Sequence, residues 1–209
     1  MNAQRIRDPE ATKALILDAA EAVFLEKGFG NTAVSEIAAK AGITKSLIHH
    51  HFGSKENLWA EVKSRRFHEY ADIQMALLRD AQPTDNLLRD SIAIYFRFLK
   101  ENPPLVRILG WMFLEEDMGD CAARDKELIA MGTAKLREGQ KAGILRKDID
   151  PRFILQTFTA LAQSWFQGKT HFINEMGTEG LPEDVDEAYL DAMIRIFMEG
   201  IMPPAQKDG

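Results

Sequence analysis

Three consecutive histidines, His49-His50-His51, form the densest group of chemically able side chains in the sequence. Imidazole can bind metal, move protons or, when charged, pair with phosphate. The spacing excludes a shared metal: neighbours on a helix point about 100° apart, and a helical chelate needs ligands three or four residues apart. Contact chemistry remains. Ile48 and Phe52, one turn apart, take the inward side of this segment, which leaves Lys45, Ser46, Leu47, His49 and His50 outward and leans His51 toward the following helix. Lys45 and Lys55 stand at the starts of two helices that would straddle a nucleic-acid backbone, where an ammonium reaches phosphate; solvated lysines are the plain alternative. Thr32 and Thr44 are expected as helix caps, at helix N-termini whose free amides also suit phosphate. Such contacts set position, whereas Ser46, Leu47 and His50 are the candidates for reading base edges.

No catalytic group assembles elsewhere. The acidic runs Glu115-Glu116-Asp117 and Glu183-Asp184 fall at helix ends or loops and read as solvated. Neither has a His or Cys nearby at ligand or nucleophile spacing. Cys121 and His171 are isolated, and no phosphate-binding glycine loop is present. The reading is a non-enzyme without cofactor or metal.

The stretch that must position the contact residues runs from Thr32 to Leu58. Val34, Ile37, Ala38 and Ala41 recur three and four apart, as on a helix with one apolar side. Gly42 ends that helix, Ile43 tucks back, and Thr44 opens a second helix over roughly Lys45 to Phe52. Helix, glycine turn and a helix with a polar exposed start is the helix-turn-helix arrangement that enters a major groove. Ahead of it, Asp8-Pro9-Glu10 starts a helix that runs to Lys27 and buries Ile16, Ala20, Val23 and Phe24. Residues 1–7, with Arg5 and Arg7, are either a frayed end or an arm reaching DNA. Behind it, Ser54 caps a long helix carrying Trp59, Val62, Tyr70, Ile73 and Leu77, ending near Asp80.

The chain as a whole has 209 residues, 45% of them apolar, enough for one large or two small domains. Its net charge of −6 is unevenly spread. Residues 1–68 hold 10 Lys and Arg against 8 Asp and Glu, and the remainder carries a balance of −8. Phosphate binding needs a basic face and not a basic protein. One cysteine makes no internal disulfide, which suits a reducing cytoplasm, and no apolar run approaches a membrane span.

Residues Ile16 to Leu58 resemble the tetracycline-repressor (TetR) family of bacterial transcription regulators. The resemblance rests on F-x-x-x-G-F at Phe24–Phe29, on Thr32, on I-A-x-x-A-G-I-T-K at Ile37–Lys45 and on H-H-F-G-S-K-E-x-L at His50–Leu58. The chain departs from it at three positions: His49 and His51 stand where the family commonly has tyrosine, and Leu47 where it has threonine. Imidazole therefore replaces the implied phosphate-contacting hydroxyl, and Leu47 offers only apolar contact, for instance to a thymine methyl.

From about Asp80 the chain reads as a helical bundle. Leu87, Leu88, Ile92, Tyr95, Phe96 and Leu99 mark one helix; Pro103-Pro104 leads into the apolar Leu105–Leu114; another helix runs from about Asp120 to Lys141. A helix begun at Ile149-Asp150-Pro151 and the last one, with Leu190, Met193, Ile194, Ile196, Phe197 and Ile201, are apolar on two sides and must be covered on both. The resemblance implies that this final pair meets its symmetry mate in a four-helix dimer interface. It also implies an apolar cavity, for which Phe96, Trp111, Met112, Phe158, Leu161 and Trp165 are the candidates, with Gln163 and His171 as polar contributors.

The expected architecture is all-α, with a helix-turn-helix head in residues 1–55 and a helical ligand-binding and dimerisation domain in residues 56–209. The expected function is a cytoplasmic, homodimeric transcriptional regulator, a repressor that binds palindromic double-stranded operator DNA and is released by a small apolar effector. Two alternatives stay open: a constitutive helix-turn-helix protein without an inducer, and a helical small-molecule-binding bundle acting through protein partners.

Overall fold

A computed structural model describes residues 8–116, 123–177 and 179–203. Over these every regular element is an α-helix: α1 (Pro9–Lys27), α2 (Val34–Ala41), α3 (Lys45–Phe52), α4 (Lys55–Asp80), α5 (Asp85–Glu101), α6 (Pro103–Leu114), α7 (Ala123–Lys141), α8 (Pro151–Met176) and α9 (Val185–Ile201). The arm with Arg5 and Arg7, and Cys121, lie outside the described residues.

Local chemistry sets the boundaries. The carboxylates of Asp8, Asp150 and Asp184 and the hydroxyl of Thr84 accept backbone N–H bonds in the first turns of α1, α8, α9 and α5. Each satisfies a donor that a helix start leaves without a partner. Gly42 closes α2 in the left-handed conformation, φ 65° and ψ 34°, which glycine adopts without a Cβ clash. Prolines 103 and 104 stand at the start of α6, where their missing N–H bonds cost nothing.

The helices form two compact units, with boundaries inside α4 and α6: Phe67 ends the first stretch of one unit, which regains the chain at Arg107, and His68–Val106 begins the other. The first unit has its own core. Ile16, Ala20 and Phe24 of α1, Ile37 of α2, Ile48 of α3, Leu58 and Val62 of α4 and Ile108 of α6 are essentially inaccessible. The Phe24 ring lies 4.9 Å from that of Trp59. In the second unit Ile92, Phe96 and Leu99 of α5 are buried, as are Ile154, Phe158 and Ala162 of α8 and Leu190, Met193 and Phe197 of α9.

One stripe differs from expectation. On α4, Ile73 is 45% exposed and Leu77 is half-buried, while Tyr70, Ala71, Gln74, Met75 and Leu78 are buried. The glutamine causes the discrepancy: counted as polar, Gln74 shifts the inferred apolar face onto Ile73 and Leu77.

Candidate nucleic-acid interface

Helix α3 is two turns long, so its face is held by its neighbours and not by its own propensity. Ile48 and Phe52 are buried in the first unit's core, and Gly53, with φ 76°, ends the helix. Lys45, Ser46, His49 and His50 are exposed, and Leu47 and His51 are half-buried. The His49 ring is fixed: its Nδ1 lies 3.0 Å from the Gly53 carbonyl oxygen. A carbonyl only accepts, so Nδ1 carries the hydrogen and Nε2 of neutral His49 presents a lone pair outward. A phosphate oxygen would meet a donor there only on the imidazolium. Among the described residues, no group of three His, Cys, Asp or Glu side chains could hold a metal.

Three of the expected contact residues have local roles that differ from expectation. Thr32 is not a cap. It is 3% exposed and its hydroxyl donates to the Gly28 carbonyl at 2.6 Å, one residue too early to reach the first turn of α2. The start of α2 is instead closed at Ala33, whose N–H donates to Glu36 Oε2 at 3.0 Å. Thr44 does occupy the cap position of α3, with extended backbone, but its hydroxyl bonds Ser46 Oγ at 2.9 Å and accepts no helix amide. Lys55 donates to the carbonyls of Phe29 and Thr32 at 2.8 and 3.0 Å and lies 4.2 Å from the Phe29 ring centre. Its ammonium therefore ties down the α1–α2 turn.

The same turn has an anchor that the sequence reading missed. Glu115, expected to be solvated, accepts the backbone N–H bonds of Phe29 and Gly30 at 3.1 and 2.9 Å. Trp111 Nε1 donates to the Leu25 carbonyl at 3.2 Å. The turn amides fall 85 and 86 residues from Glu115, so no local pattern signals the pairing; only the unmatched donors of a turn after Gly28 hint that an acceptor must exist. Buried Glu21 was missed too. It receives Arg65 at 2.5 Å and a second guanidinium from Arg66.

The six candidates for an apolar cavity divide between the two units. Trp111 belongs to the first unit, and Met112 packs against that unit's core; Phe96, Phe158, Leu161 and Trp165 belong to the second. The resemblance to the family suggested one group, and α6, which carries Trp111 and Met112, is itself divided between the units. Within the second unit, Trp165 stacks on Tyr189 at 4.1 Å and donates to Asp186 at 2.8 Å. Phe96 faces Phe166 at 4.7 Å, and Phe158 faces Phe197 at 6.2 Å. The Leu161 carbonyl accepts from the Tyr189 hydroxyl at 3.4 Å. Gln163 donates to the Tyr95 hydroxyl at 2.6 Å, and exposed His171 lies 3.3 Å from Glu175. An open groove at Lys100, Lys169, Ile173, Asp184, Val185 and Asp186 has a mixed polar and apolar lining and is crossed by Lys–Asp pairs at 2.9 to 3.0 Å. It is not an apolar cavity.

Comparison with known proteins bears on the whole chain. Residues 16–62 match the family described as bacterial regulatory proteins, tetR family, and residues 88–195 match the tetracyclin repressor-like C-terminal domain. The HTH-type transcriptional repressor SCO4008 of Streptomyces coelicolor is 30% identical over 190 residues, covering 87% of this chain and 95% of that protein. The HTH-type transcriptional repressor NicS of Pseudomonas putida is 25% identical over 150 residues, covering 69% of this chain and 71% of that protein. Among solved structures, SmeT, the repressor of the Stenotrophomonas maltophilia multidrug efflux pump SmeDEF, superposes with a TM-score of 0.65 at 22% identity, covering 95% and 94% of the two chains.

Proposed function

The chain belongs to the TetR family of helix-turn-helix transcriptional regulators, DNA-binding proteins and not enzymes, and from that premise we propose that it is a homodimeric repressor released from palindromic operator DNA by a small apolar effector. In this reading residues 1–55 carry the DNA contacts, and residues 56–209 carry the effector and dimer surfaces. The carrying observation is the outward surface of α3, where Lys45, Ser46, Leu47, His49 and His50 stand clear of the buried Ile48 and Phe52.

Each copy presents one α3 to a major groove, with half-sites roughly 34–36 Å or a multiple apart. Lys45 and His49 contact phosphate, Thr44 and the first amides of α3 lie beside it, and Ser46, Leu47 and His50 meet base edges. Thr32 and Lys55 act from behind, by fixing the turn ahead of α2. The effector binds the second unit and favours a separation of the two heads that no longer fits the groove spacing, by an amount limited to its differential affinity for the two states.

A mobility-shift assay with the protein's own promoter region tests this reading. Retardation is expected to weaken steeply as salt rises from 50 to 200 mM, because phosphate contacts release counterions. Failure to retard that fragment, or retardation indifferent to salt, excludes the reading.

A further inference from the structure

Within the second unit, the buried face of α4 is formed by apolar or aromatic residues at every position but one. Tyr70, Ala71, Met75 and Leu78 make the stripe, and Gln74 stands in its middle at 4% exposure. Its Oε1 is buried without a hydrogen-bond partner. A buried amide oxygen with no donor keeps its full desolvation penalty, which a leucine or methionine in the same stripe would not carry.

The buried side chains of this unit narrow what such an oxygen could receive. One turn away on α4, the Tyr70 ring lies 5.1 Å from Tyr95 and 5.4 Å from Phe98. Tyr95 lies edge-on to Phe158 at 6.2 Å. Burial raises the Tyr70 phenol far above its ordinary range, with Tyr95 adding to the rise. Burial likewise pushes Tyr95 up to about 12, against a smaller downward pull from the Gln163 bond. Both phenols are uncharged O–H groups at neutral pH. Among the described residues, the other buried polar side chains of this unit, Ser91, Thr133 and Gln140, are uncharged as well.

We propose that Gln74 is the polar anchor of the effector site, and that the effector is an uncharged apolar molecule bearing a hydroxyl group that donates to Gln74 Oε1. This rests on the effector-responsive reading above and names the ligand chemistry. A hydroxyl fits best because it supplies the missing donor and carries no charge into a buried site. A carboxylate would set its charge against an amide oxygen, and an ammonium would find no buried counter-charge. The rings of Tyr70, Tyr95, Phe98 and Phe158 form one chain of aromatic contacts that begins one turn from Gln74, the apolar surroundings an aromatic body would join.

The test titrates three probes into the full-length protein by calorimetry: 2-naphthol, 2-methoxynaphthalene with the same rings but no donor, and 2-naphthylmethylammonium. The wild type is expected to bind 2-naphthol at least about tenfold more tightly than the methyl ether, and Gln74→Met is expected to erase that difference. Gln74→Met should also raise the Tm of the ligand-free protein, since it removes an oxygen without a donor. Equal affinities in the wild type, no binding of 2-naphthol, tighter binding of the ammonium, or a lower Tm for Gln74→Met each overturns the proposal. The promoter-fragment assay is scored separately. Probes that discriminate while DNA affinity stays fixed sink the regulatory reading and leave the anchor standing; DNA release by other ligands without probe discrimination does the reverse.

Discussion

Glu21 is a carboxylate held inside the first unit, 6% exposed, between two guanidinium groups. Burial alone would raise its pKa, but the hydrogen bonds and charges of Arg66 and Arg65 more than offset this and hold it below the usual glutamate range. The sign follows: a depressed folded-state value means the pair's stabilisation is complete above the unfolded glutamate range and fades as pH falls through the folded value. Glu21→Gln is expected to cost about 2 kcal/mol at pH 7, less than a fully buried pair because both arginines are about a third exposed. Urea melts should show the gap between wild type and variant narrowing at acid pH; a gap constant from pH 7 down to pH 3 would rule this account out. His49 supports a second expectation. With Nδ1–H engaged by Gly53, only the imidazolium offers Nε2–H to a phosphate. His49→Ala is expected to weaken operator binding and to lower the slope of its salt dependence by about one counterion. A salt dependence unchanged in His49→Ala removes His49 from the phosphate contacts. At this scale the sequence revealed which residues face outward on α3 but not what their neighbours do with them. Thr32 and Lys55 were legible as polar residues at helix starts, yet their actual partners are carbonyls of the α1–α2 turn, which only the folded chain brings within reach.

That turn shows how an element can depend on distant residues. Gly28 has φ 79°, and a Cβ there would come within 2.6 Å of Glu115 Oε1 and 2.8 Å of Trp111 Cε3. Gly28→Ala therefore combines backbone strain with a collision, and more than 1 kcal/mol of stability should be lost. Glu115→Ala keeps the glycine but strips two amides of their acceptor, at about 1–2 kcal/mol. Denaturant midpoints report both, and amide exchange at Phe29 and Gly30 should accelerate in Glu115→Ala; unchanged exchange would show that the carboxylate does not hold the turn. Helix boundaries were legible because their causes are local: Asp8, Thr84, Asp150 and Asp184 each bond an amide two or three residues on. The Glu115 latch and the α4 stripe were not. The first joins residues 85 and 86 apart, and the second contains a buried glutamine, which a count of apolar residues assigns to the wrong face.

At the scale of the whole molecule, α8 and α9 leave large apolar side chains outside: Phe153 at 66%, Met176 at 71% and Ile196 at 72% exposure. Beside them run exposed rows of small residues at four-residue spacing, Ala160, Ser164 and Gly168 on α8 and Ala192 and Gly200 flanking Ile196 on α9. Small residues on one side of a helix let another backbone approach closely, and bulky neighbours then fill the grooves. In the homodimer proposed above, a second copy of the same pair would supply that surface under a two-fold axis, where each patch meets its own counterpart. Ile196 is outside its own subunit's core, so Ile196→Glu should leave helix content intact by circular dichroism. Near a two-fold axis it would oppose two carboxylates and desolvate both, so the variant is expected to sediment as a monomer. Operator affinity should then fall at least tenfold, because one α3 reads one half-site and the second no longer binds as a linked unit. If Ile196→Glu sediments like the wild type, the face of α9 is not the contact between copies; if it is monomeric yet binds the operator undiminished, two linked heads are not what the DNA requires.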